Sequence, residues 1–283
     1  MFNCLIPACR QAGLTVYLTF NRLRFNIFML LTYKTILSKK TQLNSNTYLY
    51  HFDLIEPKEI FFKPGQYVML KVPSAKGPVS RLYSISSSNT TKNSFELIIG
   101  IISGGLASNY LFSLKENTEV TFQGPAGMFG LKENDRKKIF LVTGTGIAPV
   151  RSMLISNIKD QISKRQIKNQ KIHLFWGLKN YKDVYLLDEL KELATTVIPA
   201  EAGIQFKICL SREQNLNMIP EEEKKHFGIG HIDSCFERLV PNPYSLATSF
   251  EFYLCGGRNI VESLKQFLLR KNVNQENIIF EKF

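Results

Sequence analysis

Apolar and polar residues change rhythm once along this chain. Between Tyr33 and Leu131 they alternate in short stretches broken by turn residues: "YKTILSKK", "TYLYHFDL", "GQYVMLKV", "RLYSISSS", "SFELIIGI" and "EVTFQG". Such alternation, rich in β-branched and aromatic residues, predicts strands, because successive strand side chains point to opposite faces. Six of them at this spacing predict a small antiparallel barrel, interrupted by one helical stretch, "ASNYLFSLK". After "GPAGMFGLKENDRKK" come apolar runs, "KIFLVT", "KIHLFWG", "IQFKICL" and "FEFYLC", each followed by a helical or loop stretch. Runs buried on both faces and separated by helices predict a doubly wound parallel sheet. The expected architecture is two-domain, β followed by α/β: a six-stranded antiparallel barrel over residues 33–133, then a parallel-sheet domain over 134–283, joined by a charged linker.

Residues 1–32 stand apart as an N-terminal extension. They hold no cation before Arg10 and no long apolar run, so neither a secretory signal nor a membrane span fits. Three arginines without an acid would suit an organellar transit peptide; alternatively, translation starts at Met29, or the extension is disordered.

Lys and Arg exceed Asp and Glu by 36 to 24, a formal charge of +12. That field suits an acidic protein partner or anionic small molecules, and no basic patch with interleaved aromatics singles out nucleic acid. The cysteines at 4, 9, 209, 235 and 255 form no CxxC pair and no short ladder, which excludes a zinc or iron–sulfur site and suits reduced, cytoplasmic thiols.

Three stretches carry chemistry. In "RLYSISSSN" a strand places Arg81 and Tyr83 on one face and Ser84 on the other, unless a strand end or bulge turns it. An arginine fork grips phosphate, a ring stacks and a serine hydrogen-bonds, which together suit a phosphorylated aromatic cofactor; the plainer alternative is an exposed strand with an incidental arginine. In "GGLASNYL" two glycines allow close backbone approach and Ser108 stands at a helix entry, fit for an anion or for simple capping. "FLVTGTGIAPVRSML" reads as strand, glycine turn and helix, the layout on which a pyrophosphate rests, with Thr143 and Thr145 as further donors beside Gly144 and Gly146. Pro149 stands where GxGxxG would have its third glycine, and suits a first helical turn there.

In this order the three stretches resemble the ferredoxin–NADP reductase family of flavoproteins, over residues 33–283; "FKPGQYVML" and "GPAGMFGL" are similar to its barrel segments as well. The resemblance implies FAD on the barrel, with Arg81 on the pyrophosphate, Leu82 beside it, Tyr83 packed on the isoalloxazine or ribityl chain and Ser84 hydrogen-bonded to flavin N5. Ile98 and Ile99 would give backbone contacts, and Gly105, Leu106, Ala107 and Ser108 would surround the phosphates. "FYLCGG" implies Cys255 beside nicotinamide C4, with Gly256 and Gly257 leaving room for the ring; without the motif, such a cysteine reads as a small buried hydrophobe. "LSREQ" implies Ser211 and Arg212 on the 2′-phosphate of NADP, chemistry that an arginine fork with a hydroxyl performs. NAD stays possible, because "EEEKKHFG" matches the family's downstream lysine only loosely, through Lys224 or Lys225. "IIFEKF" implies Phe283 stacked on the flavin until nicotinamide displaces it, and Glu281 on a proton path. Two departures stand out: Gly100 replaces a lysine of the plant-type members, and the loop from Val72 to Arg81 is short and lacks an aromatic for adenine stacking. FAD would then be bent or held less firmly, and FMN stays open.

The family's activity implied here is hydride transfer from NADPH to FAD and release of single electrons to a separate acceptor, since the cysteines cannot hold a fused cluster. Acidic ferredoxin or flavodoxin suits the positive charge. The alternatives are an oxygenase reductase component, a free-flavin reductase, or a non-catalytic nucleotide-binding module. A cytoplasmic monomer without a membrane span is expected.

Overall fold

A computed structural model describes residues 15–18, 27–164, 172–196, 204–239 and 249–283. The expectations for residues 1–14 and 19–26 lie outside the described residues.

The first sheet is antiparallel. Its strands are β1 (Thr15–Leu18), β2 (Ile27–Gln42), β3 (Thr47–Glu56), β4 (Tyr67–Val72), β5 (Val79–Ser84), β6 (Ser94–Gly100) and β7 (Glu119–Ala126), with helix α1 (Leu106–Ser113) between β6 and β7. They lie in the order β5-β4-β7-β2-β3-β6, with β1 on β2. The six expected strands are all present, and β2 begins at Ile27, ahead of Tyr33. Alternate side chains turn inward to a core of Tyr33, Leu37, Tyr50, Phe52, Leu70, Phe95 and Phe122, all at most 1% exposed. Phe52 and Phe95 meet the Phe122 ring edge-on, at centroid distances of 4.8 and 5.2 Å, the geometry that aromatic quadrupoles favour. Helix α1 closes one end of this core with Ala107 and Leu111. Lys40 Nζ donates to Phe112 O at 2.6 Å, placing a cation at the helix's negative end.

Where β5 and β6 would complete the barrel they meet only at the bridge Ile85↔Leu97. "RLYSISSS" is therefore not one strand: the ladder ends at Ser84, and the following serines hold a helix of the second sheet instead. Ser152 Oγ donates to Ser87 O at 2.6 Å, Asn89 N to Ser156 Oγ at 3.1 Å, and Ser156 Oγ to Ser88 Oγ at 3.4 Å.

The second sheet comprises β8 (Lys137–Thr143), β9 (Ile172–Leu178), β10 (Ile204–Leu210), β11 (Phe227–Ile229), β12 (Phe250–Gly256) and β13 (Ile278–Lys282). All neighbours are parallel, in the order β11-β10-β9-β8-β12-β13. Its helices are α2 (Ile147–Lys164), α3 (Leu187–Thr195), α4 (Ile232–Leu239) and α5 (Arg258–Arg270). Alternation along β8 explains why an unbroken apolar run was needed: Phe140 and Val142 face α2 and α3, while Ile139 and Leu141 face α4 and α5. From β8 the chain winds outward through β9 to β11, then returns to the other side through β12 and β13. The switch point thus lies between the carboxyl ends of β8 and β12, where open α/β sheets form a ligand crevice. The linker is pinned at the opposite, amino edge of the same two strands, where the buried Lys138 pairs with Glu251 at 2.6 Å and Asn134 Nδ2 donates to the same carboxylate at 2.7 Å.

The two sheets are packed together. Ile98 leaves the barrel core and joins Phe129, Val142, Ile147 and Met153 on the α2 face, while Leu97 and Ile99 on either side stay in the barrel.

Candidate active site

On the barrel side, Arg81 and Leu82 are exposed and Tyr83 is half-buried against the core, where burial raises its phenol pKa against the pull of Arg81. The Arg81 guanidinium donates to the neighbouring Ser80 O at 2.9 Å, leaving most of its fork free. Ser84 ends the strand. Ile98 and Ile99 bury their side chains in different cores and lie on β6 past its isolated bridge to Ile85, so their backbone runs along an open sheet edge.

Helix α1 packs on β4, the ladder partner of β5. Gly105 is its N-cap and offers no side-chain cap, so the first amides of the helix remain as donors. Ser108 does not cap the helix. Its Oγ accepts the Ile102 N–H at 3.0 Å and folds the Gly104–Gly105 turn, leaving the hydroxyl proton as a donor. Leu106 is exposed; Ala107 and Ser108 are buried.

On the second sheet, Thr143 ends β8, residues 144–146 make one tight turn and α2 begins. Here glycine is required by approach. A β-carbon on Gly146 would lie 2.4 Å from Cys255 O, and one on Gly256, at φ +151°, would lie 2.1 Å from Thr143 Oγ1. The Thr143–Gly146 turn and the end of β12 therefore touch at close range. Gly257 has nothing within 4 Å of its absent side chain, which is the open space a planar ring needs. Gly144 takes φ +52°, and its carbonyl accepts from Trp176 Nε1 at 2.9 Å and Tyr185 OH at 3.2 Å. Those two donors were not anticipated; in sequence each reads as an ordinary core aromatic. They hold the Gly144 carbonyl, and with it the turn, in place.

Cys255 lies between Val142 of β8 and Glu281 of β13 in the ladder register and is 1% exposed. Burial, aided by the Glu281 charge, pushes its thiol well up, so it is a neutral S–H. Glu281 Oε1 in turn accepts a 2.8 Å hydrogen bond from Ser84 Oγ. Burial raises this carboxyl above its ordinary range, and the serine only partly offsets the effect. Phe283 N donates to Gly256 O at 3.2 Å and Phe283 O accepts from Arg258 N at 3.1 Å, so its backbone is fixed while the side chain remains exposed. Ser84, Cys255, Glu281 and Phe283 thus converge on one place.

Ser211 and Arg212 follow β10 at the same carboxyl edge, two strands along from β8. Ser211 N and Oγ both donate to Leu178 O, at 3.0 and 3.3 Å, and Arg212 is exposed. Lys224 pairs with Glu221, and Lys225 stays exposed. Gly100 sits against this half as well, its β-carbon position 3.4 Å from Thr145 Cγ2.

An ionic chain spans the two sheets beside the site. Arg151 of α2 donates to Glu96 Oε2 at 2.6 Å and forms a two-pronged pair with Glu189 of α3 at 2.7 and 2.8 Å. Glu96 also meets His51 at 3.3 Å, and His51 meets Asp53 at 3.3 Å. Burial alone would raise Glu96, but the His51 hydrogen bond and the Arg151 charge override it and hold the carboxyl at about 2. His51 is raised chiefly by the Glu96 hydrogen bond. Among the described residues no cluster of three or more His, Cys, Asp or Glu is placed to hold a metal ion, and no helix is long and apolar enough to cross a membrane.

Comparison with known proteins gives the two halves the same identities. Residues 34–130 match the oxidoreductase FAD-binding domain and residues 140–266 the oxidoreductase NAD-binding domain. The toluate 1,2-dioxygenase electron transfer component of Pseudomonas putida is 27% identical over 252 residues, 89% of this chain and 67% of that protein. Ferredoxin–NADP reductase B of Sorangium cellulosum is 30% identical over 162 residues, 57% of this chain and 62% of that protein. The chain spans between about half and two thirds of the length of the curated relatives it matches. Among solved structures, a ferredoxin–NADP+ reductase from Neisseria gonorrhoeae with bound FAD and NADP superposes with a TM-score of 0.67 at 20% identity, covering 89% of this chain and 98% of that one. With its antiparallel FAD-binding sheet, its parallel NAD-binding sheet and a site built where they touch, this chain belongs to the ferredoxin–NADP reductase family of oxidoreductases.

Proposed function

We propose that this protein is an NAD(P)H-dependent flavin reductase that accepts hydride from NADPH and passes electrons singly to a separate acceptor protein. One observation carries the reading: a hydroxyl from the barrel, Ser84, is hydrogen-bonded to an acid from the second sheet, Glu281, which stands in register with the Cys255 thiol. A hydride-transfer site between two cofactors needs such convergence, because the protein supplies position and electrostatics.

Residues 33–133 form the flavin domain in this reading and 134–283 the nucleotide domain. The free fork of Arg81 and the uncapped amides of α1 would hold the FAD phosphates, with Leu82, Tyr83, Ile98, Ile99 and residues 105–108 around them. The turn Thr143–Gly146 would hold the nucleotide pyrophosphate and the space at Gly256 and Gly257 its ring. Arg212 with Ser211 would read a 2′-phosphate, which favours NADP over NAD. Bound flavin supplies the conversion of a two-electron input into one-electron output. Cys255, kept neutral, presents an uncharged wall to the ring, and Glu281 with Ser84 holds a proton at the junction. Phe283, exposed beside Gly256, would be the residue to cover the flavin face where the nicotinamide would stack.

The acceptor is an acidic electron carrier, ferredoxin or flavodoxin, drawn by the +12 charge to a cytoplasmic monomer. A second reading, the reductase component of an oxygenase, is favoured by the Pseudomonas relative's name. Absorbance of the purified chain before and after titration with NADPH and, separately, NADH tests the proposal: bleaching of a flavin band, stronger with NADPH, is expected. Colourless protein that cannot be reconstituted with FAD or FMN overturns it. Steady-state rates with ferredoxin, flavodoxin and free FMN then separate the acceptors, and the rate with a true acidic partner falls steeply with salt.

A further inference from the structure

Two cysteines away from the site are brought together by the fold. The parallel ladder sets Cys209 of β10 opposite Gly228 of β11. Partners across a ladder face the same side of a sheet, here the side covered by α4, which buries Ile232, Cys235 and Phe236. A β-carbon on Gly228 would lie 3.0 Å from Cys235 Sγ. The glycine therefore leaves the space in which the Cys235 sulfur settles on the ladder beside Cys209, and both thiols belong to one buried cluster. The exposed Arg238, one turn further along α4, brings Nη2 to 3.3 Å from Cys235 Sγ. That sulfur thus lies beneath one exposed guanidinium, which also donates to Ile229 O, whereas the Cys255 thiol is buried between β8 and β13.

The charges around the pair are unequal. The neighbouring Cys209 thiol and then the Arg238 cation stabilise Cys235 as thiolate against the opposing effect of burial, with Lys207 adding a smaller pull, and so lower its pKa. Cys209 moves the other way, pushed up first by its negative neighbour and then by burial. An arginine-paired thiolate beside a protonated thiol is the arrangement of an attacking and a resolving cysteine.

We propose that Cys235 and Cys209 form an oxidation-sensitive dithiol whose disulfide ties α4 to β10. The oxidant is hydrogen peroxide. The Cys235 sulfur attacks one peroxide oxygen, forming an S–O bond as the O–O bond breaks; sulfur is oxidised to sulfenic acid and hydroxide leaves. Loss of the Cys235 negative charge removes what held the proton on Cys209. The Cys209 sulfur then attacks the Cys235 sulfur, and its proton departs with the hydroxyl group as water. One peroxide thus consumes two thiols. β10 runs from Cys209 directly into Ser211 and Arg212, so the staple fixes the strand from which those two residues emerge.

The test uses the full chain treated with hydrogen peroxide, alkylated after denaturation and mapped as peptides. A Cys209–Cys235 linked peptide is expected, and limited alkylation of the untreated native protein near pH 7 is expected to label Cys235 before Cys255. Arg238→Ala, an exposed change that leaves the core intact, should move the pH midpoint of Cys235 alkylation up by about one unit. Cys209→Ser should stop the reaction at a dimedone-trappable sulfenic acid on Cys235. Peptides 209 and 235 recovered as free thiols after peroxide, or as sulfinic acid without a link, would overturn the proposal, as would an unmoved alkylation midpoint in Arg238→Ala. None of these measurements depends on flavin or nucleotide binding.

Discussion

Ser84 Oγ and Glu281 Oε1 are joined by a 2.8 Å hydrogen bond although the residues lie 197 positions apart, at the ends of strands in different sheets. A serine at such a strand end is free of the alternation that would otherwise aim it away, so its hydroxyl reaches across the junction. The bond also brings one acid to the candidate site: Glu281 is partly buried and stands in register with Cys255.

Glu281→Gln keeps the shape and the Ser84 contact but removes the titration. The expected outcome is a hydride-transfer rate that loses the pH limb lying above the ordinary carboxylate range, with flavin content unchanged. Stopped-flow flavin bleaching from pH 4.5 to 8 makes the comparison; an identical profile in the variant would show that this carboxyl is not the titrating group. Ser84→Val and Cys255→Ala should lower the same rate while flavin stays bound.

Arg81→Ala removes a free guanidinium fork. Charge-assisted hydrogen bonds contribute about 1.5–3 kcal/mol, so flavin dissociation should rise roughly 10- to 100-fold. Flavin retained after gel filtration at micromolar protein measures this, and full occupancy in the variant would remove Arg81 from the phosphate site.

Trp176→Phe and Tyr185→Phe each take one donor from the Gly144 carbonyl. With a net hydrogen bond at about 0.5–1.5 kcal/mol, KM for the nicotinamide cofactor should rise roughly 2- to 10-fold for each, with kcat and flavin content kept. The double change should exceed the sum, since the remaining donor in each single variant still orients the turn.

The ionic chain through Arg151 gives the packed sheets a pH optimum. Glu96 is lowered from 4.5 to about 2, so its contribution is full above 4.5 and lost as pH falls toward 2. His51 is raised above 6.5, so its contribution is full below 6.5 and lost as pH climbs through its folded value. Both act together between about pH 4.5 and 6.5, and stability to urea should peak there. Arg151→Ala, which strands Glu189 and leaves Glu96 only its His51 partner, should cost roughly 3 kcal/mol and make the acid side of the profile shallower.

Period-2 alternation and four apolar runs made both sheets legible, because buried strands leave a one-dimensional trace. The trace misled at "RLYSISSS", where the Ser86 and Ser87 carbonyls and the Ser88 hydroxyl turn to α2; serines whose backbone serves a helix look the same in sequence as serines on a strand face. β11 is three residues long and too short to show a period. Of the site, Arg81, Ser84, Cys255 and Glu281 were visible one at a time through their motifs, but the Ser84–Glu281 bond was not, since it exists only once the sheets pack. Arg151 and Glu96 gave no sign for the same reason: 55 residues and a domain junction separate them.

Strand β6, which sends Ile98 into one core and Leu97 and Ile99 into the other, limits how this protein can be taken apart. A cut in the linker would leave Ile98 and Phe129 as an apolar scar on the front half and uncover Met153 on the back half. Chimeras that exchange whole halves between such reductases must therefore carry matched residues at this wall, and isolated halves would be expected to aggregate unless the scar is first made polar.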